Sequence, residues 1–150
     1  MSPQPKPLHQ QIAENVQRAL SAALAGTLYV AKQNTNIKLP DAYSMPAPNV
    51  LVVAEQPWQQ VCQADDYLSG PPALVVEVVS PSNRRARVEE KVRVYLEATV
   101  PQIWIVQPKK QTVWIYQQDH PEGILAVGNV ELITPLEGFV SIENLFRLHR

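Results

Sequence analysis

Residues Leu74 to Lys91 read LVVEVVSPSNRRARVEEK, and two charges inside that stretch decide which fold and which site the chain can have. The two-residue period of a strand puts Val75, Glu77 and Val79 on one side of the segment and Val76 and Val78 on the other. Both sides are apolar, the pattern of a central strand covered on both faces. A carboxylate in that position must be paired, protonated or bound to a cation, because an ionised and unpartnered one costs many kcal/mol. Glu77 is therefore the first candidate for chemistry.

The turn Ser80-Pro81-Ser82-Asn83 leads into a helix predicted from about Arg84 to Ala98. Val88, Lys91, Val92, Tyr95, Leu96 and Thr99 have the spacing of its core-facing stripe. Lys91 lies inside that stripe. One reading lets its stem snorkel to solvent. The other aims it back at the strand acid, which together would make a site for metal, water and phosphate.

Outward from this unit, Ile12, Val16, Ala19, Leu20, Ala23 and Leu24 share one face of an amphipathic helix that begins near Leu8 and stops at Gly26. Thr27 to Lys32 and Thr35 to Leu39 are two β-prone pieces, read as one bent strand or a short pair. Val50 to Ala54 has the look of a buried strand. Glu55 to Pro72 is expected to be a long loop. Gln102 to Val106 and Thr112 to Tyr116 make a β-hairpin. A further strand is expected over about Ile124 to Ile133, and a short terminal helix over Ile142 to Leu148. This order predicts an α/β class with a central sheet flanked by helices.

With 150 residues, 45% of them hydrophobic, the chain reads as a mobile leader over 1–7 and one domain over 8–150. The net charge of −1 gives no general attraction for nucleic acid, so such contact must come from a local patch. Arg84, Arg85 and Arg87, with Arg93 nearby, form the best one; its plain alternative is a solvated helix end. Cys62 is the only cysteine, which excludes an intramolecular disulfide and fits a reducing cytoplasm. No segment approaches the length of a membrane span. The five glycines form no nucleotide-binding pattern, the three histidines no H-x-x-x-H pair, and G-x-S-x-G is absent. Trp104 and Trp114 lie on consecutive strands among Ile103, Ile105, Val113 and Ile115, and are read as core or subunit-interface packing in preference to base stacking.

The run from Ala47 to Pro108 resembles the Uma-two family of restriction-endonuclease-like proteins, which have the PD-(D/E)XK nuclease fold. The resemblance rests on Pro48-Asn49-Val50, on Val76-Glu77-Val78-Val79-Ser80-Pro81-Ser82, on Lys91 with Tyr95 four residues on, and on Val100-Pro101-Gln102-Ile103-Trp104-Ile105-Val106-Gln107-Pro108. It implies a restriction endonuclease-like central mixed β-sheet flanked by α-helices. It also implies a site where an aspartate after proline, the strand glutamate and a lysine gather around Mg²⁺ or Mn²⁺ to cut DNA, and it implies a homodimer. Glu77 and Lys91 match the catalytic positions, and Glu77 would also ligate the metal. Asn49 stands where the family has the acid, so the second metal position is an amide. Arg87 and Gln107 stand where further aspartates are common. Arg84 and Arg85 would meet phosphate.

A neutral amide holds a hard dication less well than a carboxylate does. The expected loss is about tenfold to a hundredfold, or about 1.4 to 2.8 kcal/mol. Two functions follow. The first is a Mg²⁺-dependent DNA endonuclease weakened at Asn49. The second is a nuclease-fold binding or assembly module that does not cut. Asp41, Asp65 and Asp66 are the acids able to stand in, and each also reads as a solvated loop residue.

Overall fold

The computed structural model describes residues 6–40 and 45–148. In chain order its elements are α1 (Pro7–Ala23), β1 (Tyr29–Gln33), β2 (Ile37–Lys38), β3 (Val50–Ala54), α2 (Glu55–Ala64), β4 (Leu68–Ser69), β5 (Leu74–Val78), α3 (Arg85–Glu97), β6 (Gln102–Gln107), β7 (Thr112–Gln117), β8 (His120–Leu125), β9 (Asn129–Glu131), β10 (Phe139–Ser141) and α4 (Ile142–Leu145). Six strands form one sheet in the order β1-β3-β5-β6-β7-β8. Only β5 and β6 run parallel, because α3 carries the chain back across the sheet between them. The other neighbours are antiparallel, so the sheet is mixed and mostly antiparallel.

All five residues of β5 are buried, and its alternation divides them between two cores. Leu74, Val76 and Val78 join Ile12, Val16 and Leu20 of α1 and Trp104 of β6 on one face. Val75 joins Val92 and Tyr95 of α3 and Ile103 of β6 on the other. The expected α1 begins one residue early, at Pro7, whose fixed φ suits a first helical turn where no N–H is needed. Residues 1–5 of the expected leader lie outside the described residues.

Four expectations are corrected. The stretch Glu55 to Pro72 is not a loop: it holds α2 and β4. Pro57 is tolerated in the first turn of α2, Trp58 and Val61 pack on the α3-side core, and Asp65 ends the helix in the left-handed region at φ 53°. The expected strand over Ile124 to Ile133 is two strands in different sheets. β8 ends at Leu125, the chain turns through Gly128 at φ +76°, and β9 pairs with β10. Of the terminal helix only the single turn Ile142–Leu145 forms, with Leu145 fully buried. The short pair after α1 also parts company: β1 lines the main sheet, while β2 pairs in parallel with β4. Among the described residues no helix is long and apolar enough to cross a membrane.

Candidate active site

Glu77 sits one residue from the end of β5, opposite Ile105 of β6. Its side chain lies on the α3 face and is only 6% exposed. The Tyr95 hydroxyl donates to its Oε2 at 2.7 Å, and Lys91 Nζ stands 3.9 Å from its Oε1. Tyr95 and Lys91 are four residues apart on α3, so one helical turn presents both to the same carboxylate. Desolvation pushes the Glu77 carboxyl above its ordinary 4.5; the Lys91 charge, the Tyr95 hydrogen bond and the neighbouring Asn49 backbone N–H pull it back without cancelling the burial. Burial, the charge of Glu77 and the hydrogen bond to it push the Tyr95 phenol well up, so it remains a donor. Lys91 is half exposed. Both readings of that residue hold at once: the stem runs out to solvent, and the ammonium group reaches back to the acid.

Asn49 precedes β3, and its Oδ1 accepts a hydrogen bond from the Val78 N–H at 2.8 Å. The β3–β5 ladder begins at the Val50 to Val76 pairing, so the amide side chain extends it by one bond beyond the point where β3 provides backbone. The Val78 carbonyl is held too, accepting from His9 Nε2 at 2.7 Å; a carbonyl cannot donate, which fixes the proton on that nitrogen. The end of β5 that carries Glu77 is thus clamped from α1 and from the β3 entry. His9 was not legible as part of this region from its own surroundings.

The structure brings Glu77, Lys91 and Asn49 together but does not make them a good cation site. Both oxygens of the one carboxylate face partners, and the amide oxygen is engaged by the backbone. Mg²⁺ demands near-octahedral oxygen ligation, and among the described residues no group of three or more His, Cys, Asp or Glu is placed to hold a metal. These donors, as arranged, do not fit a divalent ion. Asp41 lies outside the described residues. Asp65 and Asp66 are exposed at the end of α2, and Asp66 Oδ1 accepts from the Tyr67 N–H at 2.7 Å.

The two arginines assigned to phosphate contact are separated by α3. Arg84, the residue before the helix, shares the flank of Arg87 and Lys91 by its spacing of three and seven residues. Arg85 lies on the opposite flank, paired with Glu89 at 3.0 Å. Trp104 and Trp114 are separated by the sheet itself. Trp104 is fully buried on the α1 face, where its Nε1 donates to Gln102 Oε1 at 2.9 Å. Trp114 is half-buried on the α3 face. They form no shared stacking platform.

The Uma2 family model, described as "Putative restriction endonuclease", matches residues 1–146 of this chain. Among solved structures, a crystal structure of a "putative nuclease belonging to DUF820" from Anabaena variabilis is similar, with a TM-score of 0.75 at 17% identity, covering 97% of this chain and 84% of that one. No curated protein matches.

Proposed function

Because the chain belongs to the Uma2 family, we propose that it is a nuclease-fold protein directed to DNA whose cutting centre has been reduced to Glu77, Lys91 and Tyr95. One observation carries this reading: Asn49, at the acid's position, spends its oxygen on the Val78 N–H at 2.8 Å. A residue used that way closes the sheet and leaves Glu77 without a second carboxylate among the described residues. DNA would be met on the flank of α3 that exposes Arg84, Arg87 and Lys91, whose charges favour a phosphate backbone without reading sequence. We propose further that the chain works as a homodimer.

A second reading is favoured by the persistence of the Glu77–Lys91 pair at 3.9 Å. It is a weak DNA endonuclease dependent on Mg²⁺ or Mn²⁺, and it requires a rearrangement in which Asn49 would release the Val78 N–H to join Glu77 around the cation, with Lys91 beside the attacked phosphate. Supercoiled plasmid incubated with either ion separates the two. The first reading expects gel-shift binding with no nicking above that of Glu77→Ala, and cation-dependent nicking gained in Asn49→Asp. Nicking by the unaltered protein that Glu77→Ala abolishes would overturn it in favour of the second.

A further inference from the structure

On the flank of α3 away from Lys91 lies a groove of about 1060 Å³. Its floor is Ile105 of β6 with Trp114 and Tyr116 of β7, and Val88, Val92 and Leu96 of α3 form its wall. The floor is held in place, since the Tyr116 ring lies against Gly123 of β8, where a Cβ would come within 2.7 Å of a ring carbon. Trp114 and Tyr116 are left only half-buried on this outer part of the sheet.

The rim of the groove carries an ordered set of charges. Arg85, Glu89, Arg93 and Glu97 all line it, four residues apart along one ridge of α3, with signs that alternate. Such a row can satisfy itself within the helix. Among the described residues it closes only one of its three possible pairs, Arg85 with Glu89. Reversed end to end, the row is its own complement: Arg85 meets Glu97, and Glu89 meets Arg93. The ends repeat the pattern. Lys109 and Lys110 line the groove with Arg85, at the end where Val79 N–H bonds to the Val106 carbonyl at 2.9 Å. Glu122 lines it with Glu97, at the end where Gln118 Nε2 donates to the carbonyls of Leu96 and Val100.

We infer that this groove is where a second copy of the chain docks, its α3 lying antiparallel to the first across a twofold axis. A symmetric contact requires one patch to be complementary to itself, and this one is so in charge as well as in apolar character. Nucleic acid suits it less, since Glu89, Glu97 and Glu122 would face phosphate. The pairing gives the proposed homodimer its surface, rests on that part of the reading, and leaves the Lys91 flank open.

Light scattering on a sizing column, at several protein and salt concentrations, tests this. The unaltered protein should have twice the chain mass of 16.8 kDa. Glu89→Arg and Arg93→Glu, both at exposed positions, should each weaken association at least about tenfold through like charges placed opposite one another. The double variant should restore it, and Arg84→Glu on the other flank should not alter it. Circular dichroism confirms folding of each variant. A monomer at every concentration would overturn both the homodimer and this surface. A dimer indifferent to both single reversals would overturn the surface alone.

Discussion

The two faces of the central sheet are finished differently. On the α1 face the core is closed: Trp104, Leu20, Val16 and Leu145 are all fully buried, and the buried Gln102 amide hydrogen-bonds to Gln117 Oε1 and to the Glu131 carbonyl. On the α3 face, where α2 adds only Trp58 and Val61 to the core, α3 leaves one enclosed carboxylate on its inner flank and an aromatic groove on its outer flank. The first face stabilises the domain. The second contains the buried charge and the open apolar surface, the two features that stability alone does not ask for.

The largest contrast to test is between the two tryptophans. Trp104→Ala should cost about 3 to 5 kcal/mol in urea unfolding, as for any large side chain removed from a closed core, while Trp114→Ala at its half-buried position should cost the monomer less than about 1.5 kcal/mol. Equal losses would erase the distinction between the faces. Next is Tyr95→Phe, which strips the buried Glu77 of its 2.7 Å donor and should cost about 1 to 3 kcal/mol.

The buried acid also predicts a pH dependence. Because the folded Glu77 is held above 4.5 by burial, the native state binds more protons than the unfolded one between 4.5 and the raised folded value. Unfolding free energy should therefore fall as pH rises through that window, by at most about 1.4 kcal/mol per pH unit for one proton. Glu77→Gln should lose this component while keeping an acceptor for Tyr95; an unchanged slope would place its origin elsewhere.

Asn49→Ala should cost about 1 kcal/mol by freeing the Val78 N–H, whereas Asn49→Asp keeps an acceptor there and should cost less. Smallest is Lys91→Met. Its ammonium is half exposed and 3.9 Å from the acid, so solvent screening limits the loss to less than about 1 kcal/mol.

Much of the α3 face could be read in the chain. The apolar run interrupted by Glu77, the turn at Ser80 to Asn83 and the stripe containing Lys91 and Tyr95 are local patterns, and local patterns survive folding. Helix α2 was hidden because Pro57 and a run of glutamines leave only Trp58 and Val61 to mark its buried side, too few for a periodic signal. The break at Gly128 was hidden inside a run of β-prone residues. The bond from Asn49 to Val78 joins positions 29 residues apart, and nothing near either residue announces it. The alternating row on α3 was visible as charges, but its groove needs β7 brought alongside the helix, which is a tertiary fact.

The central claim is that Asn49 serves the sheet and leaves Glu77 the sole carboxylate of its pocket among the described residues. Calorimetric titration with Mn²⁺ of the unaltered protein, Asn49→Asp, and Asn49→Asp combined with Glu77→Ala tests it most directly. Binding at least about tenfold tighter in Asn49→Asp than in the unaltered protein, lost again when Glu77 is removed, is the expected result. Equal affinity with and without the restored acid would contradict it.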